Sequence, residues 1–80
     1  MKLETKIIEL IHSNINFEGQ ILMESTLIED LSIGSFDRLM IVNAVEDTFS
    51  VEVKDEDLVN LKTVGDIVDM VRGRVGNQFD

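Results

Sequence analysis

The segment from Phe36 to Phe49 constrains what this chain can fold into more than any other stretch. Its apolar residues are Phe36, Leu39, Met40, Ile41, Val42, Ala44, Val45 and Phe49. Among them Leu39, Val42, Val45 and Phe49 step by three and four, the spacing of one helical face, whereas a half-buried strand needs alternation by two. Ile41 widens that stripe, Met40 extends the apolar surface, and Arg38, Asn43, Glu46 and Asp47 fill the polar positions between. The pattern predicts a mostly buried helix over residues 35–49 with one side turned outward. Gly34 or Ser35 can serve as its N-cap, because serine caps well and glycine costs only a few tenths of a kcal/mol more. Position alone makes Ser35 a cap and nothing more. It also places the Ser35 hydroxyl at the positive end of the helix dipole, where an anionic group carried on it is favoured.

Two further stripes flank this one. Leu3, Ile7, Ile8, Ile11 and Ile15 predict an amphipathic helix over about residues 2–13, broken by Asn14, Asn16 and Gly19. Thr63 with Asp66 is a capping-box-like start, and Val64, Ile67, Val68, Val71 and Val75 follow at helical spacing, giving a helix over 63–74. Arg72 and Arg74 sit in its last turn, where cations suit the dipole. Gly73 and Gly76 mark a fraying end, and residues 76–80 read as a tail. Asp55 reads as the cap of a short helix over 55–61, with Leu58 and Leu61 facing inward. Residues 50–54 alternate like a strand but are too few and have no partner, so they predict an extended connector. Residues 14–34 have no clean period, yet Phe17, Ile21, Leu22, Leu27, Ile28, Leu31 and Ile33 make them too apolar for a free linker. They predict a long connection packed across the bundle, with one helical turn around Leu27 to Leu31. The fold class is therefore all-α: one domain over residues 1–80, a small bundle of three principal helices and one short one. A core of Ile, Val, Leu and Met is compatible both with close packing and with a slot for a fatty chain.

Charge and composition then exclude functions. Sixteen acidic residues against seven basic give a net charge of −9, which repels nucleic acid and favours encounter with basic patches on other proteins. The chain has no Cys, which removes disulfides, thiolate metal sites and a catalytic thiol. No apolar run approaches a membrane span and the charged start is not a signal peptide, so the expected compartment is the cytoplasm. The single His12 ends a helix beside Ile11, the place of a surface residue rather than a base. Asp55, Glu56 and Asp57 do not fit a calcium loop, since Asn60 stands where the sharp-turn glycine belongs. No Gly-rich phosphate loop exists. The residues predict no catalytic group and no metal site: this chain is not an enzyme by itself.

Asp30-Leu31-Ser32-Ile33-Gly34-Ser35-Phe36-Asp37, followed by Leu39, Val42, Val45, Glu46, Asp47 and Phe49, resembles the acyl carrier protein family. Its motif is Asp-Leu-Gly-x-Asp-Ser-Leu-Asp, with the serine bearing a 4′-phosphopantetheine arm. The likeness continues through Val51 to Leu58 and through Lys62-Thr63-Val64-Gly65-Asp66-Ile67, and covers about Leu3 to Val75. The resemblance implies a four-helix carrier fold and a monomer. It implies that Ser35 carries 4′-phosphopantetheine, attached from coenzyme A by a phosphopantetheinyl transferase that supplies base and metal. Acyl groups are then held as thioesters and passed between enzymes of fatty acid, lipid or polyketide-type biosynthesis. By the same resemblance the helix from Ser35 is the docking face: Asp37, Glu46, Asp47, Glu52 and Glu56 meet basic patches on acyl-loading, elongating or transferring enzymes, and Phe36, Leu39 and Met40 add apolar contact.

Three residues depart from the family pattern. Gly34 stands where the family has Asp, which removes a capping carboxylate and loosens the turn. Arg38 and Met40 lie where family members often have carboxylates, making the docking face less acidic and more apolar. Lys54 replaces a frequent Pro. Together they predict a specialised carrier. Two alternatives remain on the sequence: an aminoacyl or D-alanyl carrier served by an adenylating ligase, and a degenerate carrier fold that acts unmodified as an interaction module.

Overall fold

Four helices follow one another in the computed structural model, which describes residues 2–76: α1 (Leu3–Asn14), α2 (Ser35–Phe49), α3 (Asp55–Leu58) and α4 (Val64–Val75). Among the described residues there is no strand, only an isolated antiparallel bridge between Thr26 and Thr63. The fold is an all-α bundle of three principal helices and a short one. The tail expected beyond Gly76 lies outside the described residues.

The apolar stripe of α1 faces inward, with Leu3, Ile7 and Ile11 fully buried and Ile8 and Ile15 half-buried at its edge, and α1 packs against both α2 and α4. From α4, Val64, Ile67, Val68 and Val71 complete the same core. Side chains of aliphatic type and Phe49 make up this core; among the described residues no methionine is fully enclosed, with Met23 and Met70 packed at its edge and Met40 exposed. An expectation of methionine in the core is corrected accordingly.

The helix α2 departs from the expected face. Ile41, Val42, Val45 and Phe49 are buried, but Leu39 is 55% exposed and α2 is not mostly buried. Its inward stripe runs 38, 41, 42, 45, 49, so Arg38 takes the inner position that Leu39 was expected to hold. A helix packed on one neighbouring layer can bury only about one side, and α2 contains more apolar residues than that side accepts.

The short helix α3 ends at Leu58, sooner than expected, and continues as turns through Asn60 and Leu61. Asp55 is its first helical residue and not its cap. The N-cap is Lys54, whose backbone N–H donates to Asp57 Oδ2 at 3.0 Å. Leu61 is buried while Leu58 is half-buried.

Thr63 is the N-cap of α4 through a reciprocal pair: Asp66 N–H donates to Thr63 Oγ1 at 3.1 Å, and Thr63 N–H to Asp66 Oδ2 at 3.0 Å. The long connection is fixed to this helix start by backbone bonds. Leu27 N–H donates to the Lys62 carbonyl, Val64 N–H to that of Ser25, and Gly65 N–H to that of Met23. A single turn follows, closed by Thr26 and Asp30, each of which accepts the other's backbone N–H on its side chain. Ser32 then adopts a left-handed conformation (φ 54°), and Ile33 N–H reaches back to the Leu27 carbonyl. That reversal ends the connection two residues before Ser35.

Candidate functional site

Gly34 is the N-cap of α2, and Ser35 is its first helical residue. The Gly34 carbonyl accepts the Arg38 N–H at 2.9 Å, which starts the helix. Ser35 is exposed, and its hydroxyl engages no other described residue. It is therefore not spent on a cap. No side chain caps the start of α2, so its first N–H groups are open to an anionic group, although the Asp37 carboxylate in the first turn already offsets part of the positive end of the dipole. Gly34 has extended backbone (φ −79°) and nothing within 4 Å of a Cβ built on it, leaving the approach to Ser35 open.

These observations fit a phosphodiester on Ser35: an accessible nucleophilic oxygen, an open approach, and a helix terminus that favours the negative charge. Beside Ser35 a groove of about 280 Å³ is walled by Arg38, Leu39, Val42 and Leu58. Behind it a cleft of about 600 Å³ lies between the connection and α3, lined chiefly by Leu27, Ile28, Ile33, Arg38, Leu58 and Leu61.

The expected docking residues separate into groups. Phe36, Leu39 and Met40 are 74%, 55% and 42% exposed, an apolar band on the outer side of α2 next to Ser35. Asp47, Glu52 and Glu56 are exposed. Glu46 is half-buried and its carboxylate accepts the Val53 N–H at 2.9 Å, so it holds the α2–α3 connector in place. Asp37 is also half-buried, and lines a cavity with His12, Ser13 and Asn14 at the end of α1 rather than joining the band. His12 itself is exposed in the last turn of α1.

Arg38 is the residue the sequence reading misplaced. It was expected to dilute the acidic docking face, but it turns inward, donating from Nη2 to the Leu58 carbonyl, and its Nε is buried. The available signal was its spacing of four from Val42 and seven from Val45, which continues the buried stripe.

Comparison with known proteins establishes the family. A family model described as a phosphopantetheine attachment site matches residues 5–71. The acyl carrier protein of Clostridium perfringens is 39% identical over 67 residues, covering 82% of this chain and 88% of that protein. Those of Rickettsia canadensis and Rickettsia rickettsii are each 30% identical over 74 residues, covering 91% of this chain and 86% of each relative. The chain belongs to the acyl carrier protein family, whose members hold 4′-phosphopantetheine as a covalent arm.

Proposed function

We propose that Ser35 is the attachment residue and that the chain is a non-catalytic acyl carrier, acting as a cytoplasmic monomer in a dedicated biosynthetic pathway. The observation that carries this reading is the exposed, unengaged Ser35 hydroxyl at the start of α2, inside the matched family segment. When bound, the arm supplies a thiol to which an acyl group is tethered. The chain's own residues then do three things. Ser35 anchors, and the free N–H groups of α2 stabilise the anchor's negative charge. The band of Phe36, Leu39 and Met40, together with the exposed carboxylates of Asp47, Glu52 and Glu56, meets partner enzymes. Apolar contact there gives residence, and the carboxylates, with the net charge of −9, speed encounter with a basic surface. The partners are a phosphopantetheinyl transferase and the enzymes that load, extend or accept the cargo. The apolar band and the inward Arg38 support a specialised carrier over a general one.

The test is intact mass before and after incubation with coenzyme A and a broad-specificity phosphopantetheinyl transferase. A gain of one arm, lost in Ser35→Ala, is expected. Gly34→Asp fits the open space at that turn and is expected to load faster than the parent. Absence of gain in both the parent and Gly34→Asp would leave the fold as an unmodified interaction module.

A further inference from the structure

Arg38 is left unexplained by core packing and by the acidic surface. Its side chain is half-buried, its Nη2 is held by the Leu58 carbonyl, and its Nε is shielded from solvent with no hydrogen-bond acceptor among the described residues. Among the described residues no carboxylate pairs with it; the ion pairs there belong to Arg72 and Arg74. A guanidinium remains charged at every accessible pH and has five donors. A buried donor without an acceptor, on a cation without a counter-charge, is unfavourable. Such a group marks the place where a ligand oxygen belongs.

Its location says which ligand. Arg38 and Leu58 wall both the groove that starts at Ser35 and the larger apolar cleft behind it. The contact between them is thus the partition between the attachment serine and the cleft. A plain alkyl chain entering from the Ser35 side passes the guanidinium and leaves Nε unsatisfied. An acyl group ending in a carboxylate supplies the missing acceptor and the missing charge together. Of the other charged residues around the cleft, Lys62 attracts and Glu29 repels a carboxylate; both are exposed, where water screens them alike, so Arg38 is the half-buried charge that decides.

We propose that Arg38 makes this a carrier selective for acyl cargo terminating in a carboxylate, the half-thioester of a dicarboxylic acid, over alkanoyl cargo. The inference rests on Ser35 bearing the arm.

The experiment loads ¹⁵N-labelled protein with succinyl, butanoyl or octanoyl arms from the matching coenzyme A thioesters, with intact mass checking each load. Succinyl and butanoyl differ only in the terminal carboxylate. The readout is the Arg38 Nε–Hε resonance, assigned by its loss in Arg38→Lys. The succinyl load is expected to shift this signal and slow its exchange with water about tenfold relative to the unacylated arm, the scale of one charge-assisted hydrogen bond. Butanoyl is expected to leave it unmoved. In Arg38→Leu carrying ¹³C-labelled methyl groups, octanoyl is expected to perturb the Leu61 and Ile33 methyl groups more strongly than it does in the parent. Equal response to succinyl and butanoyl, or no response to either, overturns the selectivity while leaving the carrier reading intact. A failure to gain mass at all overturns both. The comparison of loads is made in the parent protein, so it stands even if a variant folds poorly.

Discussion

At the scale of the residue, the positions that decide function are those where a polar group is either left free or committed. Ser35 has a free hydroxyl because glycine, not serine, caps α2. Asp66 is the opposite case. Its carboxylate accepts the backbone N–H groups of Lys62 and Thr63, and these two bonds hold its pKa below the ordinary 3.8. A depressed folded-state pKa contributes stability above the ordinary value and loses it as pH falls through the depressed one. Asp66→Ala is therefore expected to lower unfolding free energy by about 1 kcal/mol at neutral pH, the usual worth of a cap. In urea titrations at decreasing pH the gap between parent and variant should narrow below 3.8. A gap that persists unchanged into acid would show that the carboxylate charge plays no part. The Thr63–Asp66 pair was legible in the sequence because capping is local in the chain. The partner of Arg38 was not, because Leu58 meets it only across the bundle.

At the scale of the element, the connection of residues 14–34 is the part that sequence described least. Its apolar residues require it to pack, and its single turn falls at Leu27 to Leu31, as the sequence predicts. What holds it is a set of backbone bonds to the start of α4, far away in sequence. Backbone pairing is nearly independent of side-chain identity, so no residue pattern announces it. Gly65 is the exception in retrospect. A Cβ on it would meet the Met23 carbonyl oxygen at 3.2 Å, and that carbonyl accepts the Gly65 N–H at 2.8 Å, so it is not free to retreat. Gly65→Val is expected to destabilise the protein by about 2 kcal/mol through this crowding. Amide exchange should be selectively faster at Leu27, Val64 and Gly65, where the connection is tied down. Uniformly faster exchange would place the strain elsewhere.

At the scale of the whole molecule, a chain of 80 residues has a net stability of about 4–12 kcal/mol. One core vacancy is then a large fraction of the total. Ile11→Ala, at a position with no exposed surface between α2 and α4, is expected to cost about 3 kcal/mol and to lower the urea midpoint without changing its slope. A loss below about 1 kcal/mol would mean the bundle closes around the gap. The sequence by itself determined the number and kind of helices, the inward faces of α1 and α4, the capping pair at Thr63, and the placement of Ser35 at a helix start. All of these follow from spacing along the chain or from contacts within a turn. The family resemblance puts Phe36, Leu39 and Met40 on the docking face, while the spacing puts Leu39 in the buried stripe. Only the tertiary structure decided between the two, leaving Leu39 outside with Phe36 and Met40. It also decided that Arg38 turns inward to Leu58 between Ser35 and the cleft. The reason is the same for both: a helix has more than one apolar side available, and its neighbours, not its own sequence, choose the one that is buried.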